Sequence, residues 1–127
     1  LGAQLAKVAQ LMHEGDALPL VSPDQAMAET LLVMSEKSFG IAGVVEAGCL
    51  IGVISDGDLR RNMADLMEKR AGDVATKTPH TIRAEMLAAE ALAEMSENKI
   101  TALFVVDGQG VPVGLLHLHD CLRAGIV

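Results

Sequence analysis

Aromatic side chains are almost missing from this sequence: two Phe, no Tyr and no Trp in 127 residues. A stacking platform for single-stranded nucleic acid needs them, which excludes that class of function. Positive charge is also short. Against 17 Asp and Glu stand only 10 Lys and Arg, a net charge of −7. A chain of that sign lacks the field that draws phosphate backbones, so no nucleic-acid partner is expected. Nor is there an apolar run near the ~18 residues of a membrane span. The longest, Gly40 to Ile54, is broken by Glu46 and carries four Gly, so no membrane partner is expected either. Cysteine is limited to Cys49 and Cys121. That is too few for a disulfide framework, and neither has a second Cys at metal-ligand spacing. Both read as small core residues, which suits a reducing, cytoplasmic setting. A basic-then-apolar leader is missing and the sequence opens on Leu1, so it reads as a piece of a longer protein.

Half the residues are apolar and 21% are charged. That is enough to bury a core in one compact domain or two very small ones. The sequence also repeats itself. A shift of 61 places Met34-Ser35-Glu36 on Met95-Ser96-Glu97, Val44-Val45 on Val105-Val106 and Val21 on Ile82. With one more residue, a shift of 62 places Ile51-Gly52-Val53-Ile54 on Val113-Gly114-Leu115-Leu116, Asp58 on Asp120 and Arg61 on Arg123. Matches in order, with a single slip at a turn, indicate two copies of a unit of about sixty residues. Their boundary falls near Ala64 to Arg70. Units that small are marginal alone, so a shared buried face is expected.

Each copy predicts the order β-α-β-β-α. In the first, Leu18 to Val21 is extended. Ser22-Pro23-Asp24-Gln25 reads as a helix start with Ser at the N-cap and Pro at the first helical position. Met27, Leu31 and Met34 form one apolar stripe, and Gly40 ends the helix. Ile41 to Val45 is a strand, Glu46-Ala47-Gly48 a turn and Cys49 to Ile54 a strand. Such continuously apolar strands are expected to be covered on both faces. Ser55-Asp56-Gly57-Asp58 then opens a second helix. In the second copy Thr81-Ile82 is extended and Arg83 to Asn98 helical, with Leu87, Ala91 and Met95 on one stripe. Leu103 to Val106 and Val113 to Leu116 are strands around a turn at Asp107 to Gly110. The last helix runs from Leu118 to Ala124, with Gly125 as its stop. Leu1, Leu5, Val8 and Met12 have heptad-like spacing and read as the tail of a connecting helix.

No catalytic constellation emerges. The sequence lacks a G-x-x-x-x-G-K-[ST] loop, a G-x-G-x-x-G after a strand and a G-x-S-x-G elbow. His117-x-His119 with Asp120 is part of a metal pattern, but the histidines straddle a strand-to-helix junction and no third ligand is evident. The plainer reading has His117 capping the helix and His119 facing solvent. Asp56-Gly57-Asp58 lacks the later oxygens and closing Glu of a calcium loop. What remains is a repeated junction: Gly52-Val53-Ile54-Ser55-Asp56-Gly57-Asp58 and Gly114-Leu115-Leu116-His117-Leu118-His119-Asp120. One reading is a site for a phosphorylated ligand. Helix N–H groups and the Ser55 hydroxyl would meet the anion, while the Asp accepts from sugar hydroxyls. Arg60, Arg61 and Arg123 would neutralise phosphate. The other reading is a capping box worth about 0.5–2 kcal/mol that binds nothing, with arginines that are solvated surface charge.

Two sixty-residue units, each ending in G-h-h-[ST]-x-x-D-h (h apolar), resemble a tandem pair of cystathionine-β-synthase-like (CBS) domains, a Bateman module. The resemblance covers about Val8 to Val127. More narrowly, Gly52 to Arg61, the string from Gly114 to Val127 and Val8-Ala9-Gln10-Leu11-Met12-His13 with Gly15-Asp16 are similar to the C-terminal module of the arabinose-5-phosphate isomerases, the KpsF/GutQ sugar-phosphate isomerase family. The resemblance implies an α/β (α+β) fold with two repeats related by a pseudo-twofold axis. Residues 1–12 would end a linker helix from a sugar isomerase (SIS) domain, 13–66 form the first repeat and 67–127 the second. That upstream domain would interconvert ribulose 5-phosphate and arabinose 5-phosphate for synthesis of the lipopolysaccharide sugar Kdo. It would hold the catalytic residues, leaving this chain no turnover and no cofactor.

The family also implies a nucleotide bound between repeats and a homodimer or larger oligomer. Carried over, Ser55 would face phosphate and Asp58 and Asp120 the ribose hydroxyls. Thr78, Thr101 and Ala102 would approach base or sugar, with Arg61 and Arg123 beside the phosphate. His117 departs from the family's Ser/Thr, which leaves a second phosphate contact in doubt or makes it pH-dependent. Pathway logic points to CMP-Kdo as the effector. The alternative is a scaffold that binds nothing and only holds isomerase domains in an oligomer.

Overall fold

The computed structural model describes residues 5–126. The chain divides into two compact units, one continuous and one not. The continuous unit is Pro19–Pro79; the discontinuous unit joins the segment ending at Leu18 to the chain from His80 onward. The element order in the continuous unit is β1 (Leu20–Val21), α2 (Met27–Lys37), β2 (Ile41–Glu46), β3 (Cys49–Ser55), α3 (Asp56–Arg61), a 3-10 segment at Met63–Glu68 and α4 (Ala71–Val74). In the discontinuous unit, α1 (Val8–Leu11) precedes β4 (Thr81–Ile82), α5 (Ala88–Asn98), β5 (Ala102–Val106), β6 (Pro112–His117) and α6 (Leu118–Arg123). Mixed α/β architecture is thus observed, with a three-stranded sheet in each unit.

The two sheets are built alike. β1 runs parallel to β2, which pairs antiparallel with β3; β4, β5 and β6 repeat the order. Both hairpins carry a register shift at the same place, between Val44 and Val45 and between Val105 and Val106. The core of the continuous unit gathers Met27 and Met34 from α2 with Val44, Ile54 and Ala71. That of the discontinuous unit gathers Val8, Met95, Val105, Leu116 and Cys121. The stripe Met27, Leu31 and Met34 of α2 therefore faces inward, as do Ala91 and Met95 of α5, whereas Leu87 stands ahead of α5 as its N-cap and outside the core cluster; β5 is buried along its first four residues.

Both long helices start later than their sequence predicts. The N-cap of α2 is Ala26, not Ser22, and α5 begins at Ala88, not at Arg83. The stretch before each helix is a turn, with Gln25 N donating to Ser22 O and Met86 N to Arg83 O, both at 3.2 Å, and its remaining backbone groups are occupied by another pairing. Met27 N donates to Lys69 O at 3.0 Å, Ala71 N to Gln25 O at 2.8 Å and Gly72 N to Pro23 O at 2.9 Å. In the other unit Val8 N donates to Met86 O at 2.9 Å, Ala9 N to Ala84 O at 3.0 Å and Ala88 N to Ala6 O at 2.8 Å. A cap signal read locally lost to these tertiary hydrogen bonds. The expected connecting helix is likewise cut to one turn, Val8–Leu11; its residues 1–4 lie outside the described ones. Among the described residues no helix is long and apolar enough to cross a membrane.

Candidate functional site

Each unit ends its antiparallel hairpin in a polar corner. In the continuous unit β3 runs into α3 through Ser55, the N-cap. Asp58, three residues on and only 4% exposed, turns its carboxylate back. Its Oδ2 accepts from Ser55 N at 2.9 Å and Ser55 Oγ at 3.1 Å. Its Oδ1 accepts from Arg61 at 2.7 Å and from Thr76 Oγ1 at 2.7 Å. Burial pushes the Asp58 carboxyl up, but the hydrogen bonds from Thr76, Ser55 and Arg61 outweigh it and hold the group below the usual carboxylate range. One arm of the capping box is therefore made, Asp58 accepting from the Ser55 amide, while the Ser55 hydroxyl donates to the same carboxylate and Arg61 and Thr76 add two further donors.

The discontinuous unit repeats the corner with different chemistry. Asp120, 8% exposed, accepts from His117 N at 2.9 Å and from Arg123 at 2.9 Å. His13 Nε2 lies 2.9 and 3.0 Å from its two oxygens. The ring of His117 accepts the His119 amide on Nδ1 at 3.1 Å, so His117 caps α6, and His119 is exposed. Burial first, then the bonds from His117, His13 and Arg123 against it, leave the Asp120 carboxyl lowered. Burial also raises the Cys121 thiol, which makes it an unreactive core residue.

Ser55, Asp58 and Arg61 thus come together, as do His117, Asp120 and Arg123. Ala102 joins the second set, since it lies opposite His117 in the β5–β6 ladder. Thr101 is exposed, and its carbonyl accepts from Leu118 N at 2.8 Å. It lines an apolar groove of about 640 Å³ with Leu92, Met95, Ile100 and Leu118. Thr78 is exposed in a bend two residues beyond Thr76. Arg60 is exposed as well. Among the described residues no group of three or more His, Cys, Asp and Glu is arranged to hold a metal.

Thr76 and His13 were missed by the sequence reading. They occupy equivalent positions. Each closes a short segment that lies on the neighbouring strand, with Thr76 bridged to Val53 and His13 to Leu115. A shift of 63 would have found them, since it places Val8, Leu11, Met12 and His13 on Ala71, Val74, Ala75 and Thr76.

Comparison with known proteins gives a consistent result. Residues 8–65 and 71–126 each match the family model of the CBS domain. The arabinose 5-phosphate isomerase KdsD of Pseudomonas aeruginosa is 44% identical over 97% of this chain and 39% of its own length. This chain accordingly spans about two-fifths of the curated relatives it matches, 40% and 39% of the first two. Among solved structures, CBSX2 of Arabidopsis thaliana in complex with AMP aligns with a TM-score of 0.82 at 26% identity, covering 94% of this chain and 96% of that one. The CBS domain pair of protein MJ0100, solved with 5′-methylthioadenosine and S-adenosyl-L-methionine, aligns with a TM-score of 0.82 at 18% identity over 94% of each chain, a likeness of fold.

Proposed function

The chain belongs to the CBS-domain family, and from that premise we propose that it is the regulatory ligand-binding pair of a sugar-phosphate isomerase whose catalytic domain lies outside this chain. The observation that carries the reading is the 44% identity to KdsD over 97% of this chain. The likeness to CBSX2, solved with AMP, supports a nucleotide or nucleotide-sugar effector. CMP-Kdo fits as the end product of the pathway that arabinose 5-phosphate feeds.

The polar corners supply suitable chemistry. Thr76 and Arg61, which hold Asp58 Oδ1, are themselves exposed. A sugar hydroxyl can therefore take the place of the Thr76 hydroxyl, donor for donor, without leaving the carboxylate unsatisfied. Arg61, once released, offers its guanidinium to phosphate. Asp120 and Arg123 form the same kind of pair. In this assignment Ser55 faces phosphate, Thr78, Thr101 and Ala102 approach base or sugar, and His117 contributes only in the protonation state its cap permits. An effector bound this way biases the isomerase by favouring one arrangement of the pair over another. The setting is the cytoplasm and the assembly a homodimer or larger, built with the upstream SIS domain.

The net charge of −7 favours a second reading, a scaffold that binds nothing, because it repels anionic nucleotides. Titration of the 127-residue chain with CMP-Kdo, AMP, ADP and ATP by calorimetry and thermal shift separates the two. Binding by at least one is expected, with stabilisation of about 2.7 kcal/mol at a hundredfold excess over Kd. Silence from all four at millimolar concentration overturns the effector reading in favour of the scaffold.

A further inference from the structure

Three of the four histidines of the chain stand at a single corner. His13, His117 and His119 occupy the places that Thr76, Ser55 and Gly57 hold at the equivalent corner, as the repeat shifts of 63 and 62 align them. The exchange replaces groups that do not titrate by imidazoles, and only on this side. The Asp58 corner is held by Ser55, Arg61 and Thr76, none of which changes charge near neutral pH. The Asp120 corner depends on a neutral ring. His117 Nδ1 accepts the His119 amide at 3.1 Å, which requires its proton to sit on Nε2. A second proton would turn that acceptor into a donor pointing at another donor.

We propose that the β6–α6 corner is a proton-responsive latch: when His117 takes up a proton its ring leaves the cap and α6 loosens, while the Ser55 corner stays closed. The groups facing His117 include His119, Asp120 and Arg123 from α6 and His13 from the N-terminal segment. Burial, chiefly, with His119, His13 and Arg123 holds the ring's proton affinity below that of an ordinary imidazole, and Asp120 opposes them. The latch therefore stays closed at neutral pH and opens below 6.5, the ordinary value. His13, bonded to the same Asp120 carboxylate, opposes a proton on His117. The device holds whether or not the chain takes an effector.

Amide exchange of the 127-residue chain, followed by NMR between pH 8 and 5 and corrected for intrinsic rates, tests it. Protection of α6 is expected to fall about 2- to 30-fold, the range for a lost cap, while that of α3 stays level. His117→Ser, which installs the cap of the other corner, is expected to abolish the pH dependence. His13→Thr is expected to move the midpoint to higher pH by removing the competing charge. The imidazole ¹⁵N shifts give a reading independent of stability, with an unprotonated Nδ1 on His117 at pH 8. A His117 ring carrying its proton on Nδ1 at pH 8, equal changes in α3 and α6, or a retained pH dependence in His117→Ser overturns the proposal.

Discussion

Asp58 is a buried carboxylate that accepts four hydrogen bonds, so its contribution is legible in two measurements. Thr76→Val keeps the shape and removes one donor; a loss of about 0.5–1.5 kcal/mol in urea unfolding is expected. Asp58→Ala removes the acceptor and strands a backbone N–H, at a cost of about 1–3 kcal/mol. The pH dependence follows from the same bonds. Asp58 and Asp120 both have carboxyls lowered from 3.8 in the folded state. In each case the folded form resists protonation, so the stabilisation is complete above 3.8 and is lost as pH falls from there through the folded value. Asp58→Asn should therefore show a shallower acid limb than the parent chain. An acid limb of unchanged slope in Asp58→Asn would mean that the carboxylate gains nothing from its four donors. Ligand affinity separates capping from binding: a residue that only caps changes stability and leaves the effector titration as it was.

At the scale of elements, the glycine that opens each motif has a steric reason. A Cβ on Gly52 would stand 2.9 Å from the carbonyl oxygen of Thr76 and 3.1 Å from the Ala75 methyl, because the segment after α4 lies against β3. At Gly114 the nearest neighbours are Met12 Sδ and Cγ, with His13 O at 3.1 Å. Backbone cannot yield as a thioether can. Gly52→Ala should therefore cost about 1–3 kcal/mol in chemical denaturation and Gly114→Ala less, Met12 swinging aside. Equal costs would mean that Met12 is as fixed as a peptide group. The same segments explain which parts of the site were legible in the sequence. Ser55 with Asp58, and His117 with Asp120, span three residues, and a capping box is a local pattern that spacing reveals. Thr76 lies eighteen residues from Asp58 and His13 over a hundred from Asp120, so only the fold could bring them in. The late starts of α2 and α5 have the same origin: Ser22-Pro23-Asp24-Gln25 carries a sound helix signal, but its backbone is paired with residues 69–72 instead.

The whole molecule is two units of roughly equal size whose boundaries do not follow the sequence repeat. Repeat similarity runs in chain order, whereas the second compact unit recruits α1 and His13 from the far end of the chain. The core of that unit depends on the recruitment, because Val8 is 0% exposed among Met95, Val105 and Leu116. Burying Val8 contributes about 1.5–3 kcal/mol. The segment adds backbone pairing from Val8 to Met86, from Ala9 to Ala84 and in both directions between His13 and Leu115. It also supplies a partner of the Asp120 carboxylate. A unit of some sixty residues has little stability in reserve. A chain shortened to begin at Glu14 should therefore lose about 3–5 kcal/mol in the discontinuous unit. Hydrogen exchange is the direct measurement. Amides of β5 and β6 are expected to lose protection, while those of β2 and β3, whose unit Pro19–Pro79 contains no residue removed, keep theirs. Undiminished protection in β5 and β6 would show that α1 is an ornament on a self-sufficient fold. The expected loss would mean that a pull on the chain ahead of Val8 acts directly on a segment of the second core and on the histidine that holds Asp120.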